Sequence, residues 1–111
     1  GSDCEIEEFK LTKNIQKINT FIKESQEEIE FSKKGEALLL ATKDSGKLKT
    51  NPTNQIKLSP GMIFIFLGSQ DQLMDIRERL KDILMEKILG FIITNSLQIK
   101  WLKLLALKKM K

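Results

Sequence analysis

Carboxylates are the main reactive groups of this chain. Glu24, Glu27, Glu28 and Glu30 lie close together, and Glu5, Glu7 and Glu8 form a second group. Oxygen donors of this kind suit calcium. On the helix expected across 24–30, however, they line a polar face, where a rigid multidentate cage is hard to assemble. A solvated face is the expectation, for Glu5, Glu7 and Glu8 as well. The chain has no histidine, so no Ser/His or Cys/His nucleophilic arrangement is available. A single cysteine leaves zinc and other soft metals without a ligand set. Ser59-Pro60-Gly61 reads as a turn and not as a phosphate loop. The residues point to a binding or regulatory module and not to an enzyme.

The elements that must position these groups are clearest between Gly35 and Leu80. Ala37-Leu38-Leu39-Leu40-Ala41 and Met62-Ile63-Phe64-Ile65-Phe66-Leu67 are apolar runs of strand length, bounded by Gly and Pro. Apolar residues throughout such runs predict burial on both faces, with helices as cover. Asp44-Ser45-Gly46 makes a hairpin-sized loop between strands at 37–43 and 47–51. Further strands are expected near 55–58 and 62–67. Before them, Phe9 and Leu11 share one side of a short first strand, with Glu8 and Lys10 opposite.

Ile15, Ile18, Phe21, Ile22 and Ile29 recur at helical spacing, so one amphipathic helix is expected from about Ile15 to Lys33. Thr12 or Asn14 would cap it, and Gly35 would end it. Ser69 and Gln72 have capping-box spacing. Leu73, Ile76, Leu80, Ile83 and Leu84 then mark a helix to about Leu89. Gly90 and Asn95 predict a break, and Gln98 to Lys109 a further helix. The order is β-α-β-β-β-α: an α+β fold, mostly antiparallel sheet covered by helices, with a C-terminal helical extension.

At 111 residues and 41% apolar content the chain is one domain with a core. Gly1-Ser2 has the look of an expression scar before a domain at 3–82 and an extension at 83–111. Cys4 cannot form an internal disulfide, which suits a reducing cytosol. The net charge of +4 comes mostly from Lys100, Lys103, Lys108, Lys109 and Lys111. The longest uncharged run, Ile88 to Ile99, is twelve residues, against about 20 for a membrane span. No crossing is expected. Trp101, Leu102, Leu104, Leu105, Leu107 and Met110 form an apolar cluster beyond the expected core, which predicts an interface. Leu84, Ile88, Trp101, Leu102 and Leu105 are its candidate residues, and a homodimer the expected partner.

The string Gly35-Glu-Ala-Leu-Leu-Leu-Ala-Thr-Lys-Asp-Ser-Gly46 resembles the strand and Asp-Gly turn of the TrkA-C domain. That domain is the C-terminal lobe of cytosolic units that regulate potassium conductance. Asn51-Pro52-Thr53 is similar to the Asn-Pro-Ser/Thr of the potassium-channel branch. Leu58-Ser-Pro-Gly61, then Met62 to Gly68, resembles its leucine, glycine-aspartate, apolar-strand and glycine segment. Ser69-Gln70-Asp71-Gln72-Leu73 looks like its closing helix start. The resemblance spans about residues 5 to 82. Met62 stands where the family has aspartate, the Gly-Lys pair near the first helix is missing, and 83–111 has no counterpart.

The resemblance implies a regulatory lobe at the cytoplasmic face of the membrane, paired as a dimer beneath a potassium channel or transporter. A companion N-terminal lobe would carry the dinucleotide site; no Gly-x-Gly-x-x-Gly occurs in this chain. It also implies a ligand groove around Ala41, Lys43, Asn51 and Pro52. Some members bind cyclic di-adenylate there, but Glu30 and Glu36 fall in the corresponding regions, so that ligand is disfavoured. Calcium is supported by no specific residues. An interaction module unrelated to transport is the alternative. Nucleic-acid binding ranks last, because Trp101 is the sole aromatic platform near a modest charge.

Overall fold

The computed structural model describes residues 3–11 and 16–110. The expected scar at Gly1-Ser2, the cap candidates Thr12 and Asn14, Ile15 and Lys111 lie outside the described residues. The element order is β1 (Glu5–Lys10), α1 (Gln16–Ser25), β2 (Glu28–Glu30), β3 (Leu38–Asp44), β4 (Lys47–Thr50), β5 (Gln55–Lys57), β6 (Ile63–Gly68) and α2 (Gln70–Lys109). The fold is α+β, as expected, but with six strands among the described residues where the expected order β-α-β-β-β-α holds four. Strands β1-β6-β3-β4 make one antiparallel sheet, while β2 and β5 pair as a separate antiparallel ribbon.

Local chemistry explains the connections. Ser45 and Gly46 both take positive φ (51° and 79°), the geometry of a two-residue hairpin whose twist matches its strands. At Ser59-Pro60-Gly61-Met62, proline sets the first central φ and Gly61 supplies φ 76° at the second. The Met62 amide closes that turn on the Ser59 carbonyl at 3.2 Å. Ser69 starts α2 with a complete capping box: its hydroxyl accepts from the Gln72 amide and the Gln72 carboxamide accepts from the Ser69 amide.

Alternation decides which side of the sheet is core. Phe9, Leu39, Phe64 and Phe66 point to the helices and are buried with Ile18, Ile22, Leu73, Ile76, Leu80 and Ile83. Phe31 joins them from beyond β2, its ring centroid 5.3 Å from Phe64 and 5.4 Å from Phe66. Such tilted and edge-on pairs add about 0.5–1.5 kcal/mol each beyond area burial.

The opposite face contradicts the expectation of cover on both sides. Ile6, Leu38 and Leu48 are exposed there, beside half-buried Ile63, Ile65 and Leu67. The reason is supply. Among the described residues there are two helices, and both lie on the Phe64 side.

Three further expectations change. The first helix stops at Ser25, not Lys33, because Gln26 turns left-handed (φ 52°) and Glu28–Glu30 pairs with β5. Ile29 lies seven residues from Ile22, two helical turns, so it matched the helical stripe while serving a strand. Gly35 therefore ends no helix; at φ 86° it sits in the tight turn where the Glu36 amide donates to the Lys33 carbonyl. Finally, neither Gly90 nor Asn95 interrupts α2, which runs unbroken for 40 residues, about 60 Å at 1.5 Å per residue. The molecule measures 75 × 27 × 23 Å as a result.

Candidate ligand groove

A cleft of about 390 Å³ separates the main sheet from the β2–β5 ribbon. Thr42 and Met62 form its floor on the core side. Lys47 and Lys49 reach it from β4, Glu28 and Lys57 from the ribbon, and Pro52 and Thr53 from the connecting loop. The size falls within the usual range of small-molecule sites. Three lysines against Glu28 and Asp44 leave the lining positive, which suits an anionic ligand. The loop is shaped by Asn51, whose left-handed backbone (φ 48°) is one that asparagine tolerates better than most residues. The Asn51 amide still reaches the Leu40 carbonyl at 3.2 Å, so the turn is tied to the bulge in β3.

The four groove residues expected from sequence separate here. Pro52 lines the cleft and Asn51 shapes its wall. Ala41 and Lys43 pair with Ile65 and Ile63 and so lie on the opposite face of the sheet. The β3 bulge at Leu40 is the cause, since one extra residue shifts every following side chain to the other face. Sequence reasoning missed Lys47, Lys49 and Lys57. The alternation Lys47-Leu48-Lys49 was a usable signal, because it puts both lysines on one face of a short strand.

Glu30 and Glu36, which weighed against a phosphate ligand, are engaged elsewhere. Glu36 accepts from the Lys33 amide at 2.9 Å and pairs with Arg79 at 3.5 Å. Glu30 sits 4.0 Å from the Lys33 ammonium. Neither lines the cleft. Met62 is buried, and its sulfur accepts from the Ser59 amide at 3.3 Å.

Arg79 joins the ribbon to α2. Its guanidinium donates to the Glu30 carbonyl at 2.6 Å and lies over the Phe31 ring, 4.9 Å from the centroid. On the far side, Arg77 pairs with Glu7 and covers Phe9 at 5.8 Å, fastening α2 to β1. Lower on α2, Lys87 meets Glu27 in a half-buried ion pair. Burial pushes the Lys87 ammonium below its ordinary value.

Of the candidate interface residues, Leu84 and Ile88 pack against the chain's own core together with Phe91. The core therefore reaches past residue 82, where the domain was expected to end. Trp101, Leu102 and Leu105 are exposed. Because α2 does not break, it contains a stretch long and apolar enough to cross a membrane by length and composition. The twelve-residue limit read from sequence applied only to its uncharged part. No group of acidic residues and cysteine fit to hold a metal occurs among the described residues. No family model, no curated protein and no solved structure matches this chain.

Proposed function

We propose that this chain is a regulatory lobe of a potassium channel or transporter, acting at the cytoplasmic face by binding and two-state coupling. The observation that carries the reading is the Arg79 clamp. One wall of the groove, the β2–β5 ribbon, is held to α2 by Arg79 through the Glu30 carbonyl and the Phe31 ring. A ligand that draws the ribbon toward Lys47 and Lys49 would load that clamp, and the unbroken helix would carry the movement outward. Coupling of this kind requires two arrangements of one element that a ligand binds unequally. The residues behind the resemblance also have structural work to do: Asn51-Pro52 walls the groove, Pro60-Gly61 turns into β6, and Ser69 with Gln72 caps α2.

The test is transport. Deleting the coding region for residues 3–82 in frame, in the organism that carries the gene, should change rubidium uptake at limiting potassium. Uptake equal to the parent strain across potassium concentrations would overturn the reading. An interaction module unrelated to transport is the second reading, favoured by the open sheet face at Ile6, Leu38 and Leu48. It predicts unchanged uptake together with a stable complex that an Ile6→Lys variant abolishes.

A further inference from the structure

We propose that the C-terminal half of α2, residues 92–110, embeds in the surface of an anionic lipid bilayer. The inference rests on this segment alone and not on the transport reading. Beyond Phe91 the helix leaves the core, and its large apolar side chains are exposed in every direction. At 100° per residue, Leu97, Trp101 and Leu104 point one way, Ile92 and Ile99 another, and Leu102 a third. All are more than half exposed.

Charge selects among occupants. At a lipid interface the apolar side chains of one side sink about 5–10 Å, while the lysine stems extend to let their ammonium groups reach water or headgroups. After Glu86 the sequence has no acidic residue but carries Lys87, Lys100, Lys103, Lys108, Lys109 and Lys111. Two parallel copies would bring these like charges together, whereas anionic headgroups neutralise them. Lys100 and Lys103 sit inside the apolar stretch, which favours a helix lying at the interface over one buried across the bilayer.

The rest of the domain permits this placement. The segment stands at the far end of a 75 Å molecule, away from the sheet. Three of its polar residues, Thr94, Asn95 and Gln98, border a recess against Lys17 and Phe21 of α1, while Ser96 is exposed. Trp101, an indole among lysines and leucines, is of the type that settles at headgroup depth.

Trp101 is the sole tryptophan and the chain has no tyrosine, so its emission reports directly. We would titrate the protein with phosphatidylglycerol vesicles and, separately, phosphatidylcholine vesicles, and sediment both. The expected result is a blue shift and co-sedimentation with phosphatidylglycerol, weakened by salt, and little of either with phosphatidylcholine. Lipids brominated near the headgroup should quench Trp101 more than lipids brominated at the chain ends. A Lys100→Glu, Lys103→Glu variant should lose vesicle binding while keeping its melting temperature and helical circular dichroism. Absence of any shift, equal binding of that variant, or stronger quenching from the chain ends would each overturn the proposal. So would emission already blue-shifted without lipid in a protein of dimeric mass.

Discussion

The guanidinium of Arg79 lies 4.9 Å from the centre of the Phe31 ring, and one of its nitrogens donates to the carbonyl of Glu30, the last residue of β2. This single side chain joins a two-stranded ribbon to a 40-residue helix. Lysine at position 79 would keep the charge but lose the planar fork and the ring contact. Arg79→Lys should lower stability by about 1–2 kcal/mol in urea denaturation, from the weakened cation–π and carbonyl contacts. Its larger effect should be on coupling: a groove ligand should still bind but no longer change hydrogen exchange in α2.

The groove itself predicts a ligand response. An anionic ligand seated there, with cyclic di-adenylate as the probe, should add about 2.7 kcal/mol at a hundredfold excess over its dissociation constant. In a domain of this size that is a rise on the order of ten degrees in melting temperature. A Lys49→Ala, Lys57→Ala variant should lose the response, because both lysines line the cleft. Calcium should give no shift.

Two glycines of α2 and its approach should behave oppositely on substitution by alanine. At Gly90 a Cβ would sit 3.4 Å from the Phe21 ring, an ordinary contact, and the residue is in a helix interior. Gly90→Ala should therefore stabilise by about 0.5–1 kcal/mol. At Gly68 a Cβ would come within 3.0 Å of the Ala37 Cβ and of the Gln72 carboxamide oxygen that serves the capping box. Gly68→Ala should destabilise by about 1–3 kcal/mol. Paired chemical melts of the two variants check both signs.

Lys87 gives the pH prediction. Burial lowers its folded-state pKa below the ordinary 10.5. Between that lowered value and 10.5 the unfolded chain holds more protons than the folded one, so this group's contribution to stability rises with pH across the window. The stability difference between wild type and Lys87→Met should accordingly move in favour of wild type as pH climbs toward 10.5. Glu27→Gln removes the carboxylate partner, so in that background the rise should begin at lower pH. Denaturation melts of each variant against wild type at a series of alkaline pH values isolate the effect, because the remaining lysines are common to both and cancel in the difference.

How much of this was legible beforehand follows the range of the interactions involved. The strands at Leu38–Asp44 and Ile63–Gly68, the Ser45-Gly46 and Pro60-Gly61 turns and the Ser69/Gln72 cap depend on residues a few positions apart, and the sequence shows each of them. The stripe from Leu73 to Ile83 was equally plain, because helical period and burial agree there. Gly90 was not. Glycine signals a break by propensity alone, and only the packing of α2 on α1, with Phe21 against Phe91, shows that the helix continues through that position. Ile29 was misassigned because two helical turns and a strand position coincide at that spacing, and its partner Ile56 lies 27 residues away. The groove was half legible. Pro52 and Asn51 carried a recognisable local pattern, but the bulge at Leu40 turned Ala41 and Lys43 to the other face, and the pairings of β4 on β3 and β5 on β2 brought Lys47, Lys49 and Lys57 to one cleft. Register and strand order are long-range properties: a one-residue shift reverses every side chain beyond it. Local pattern therefore determined the elements, while tertiary pairing alone decided which of their side chains share a site.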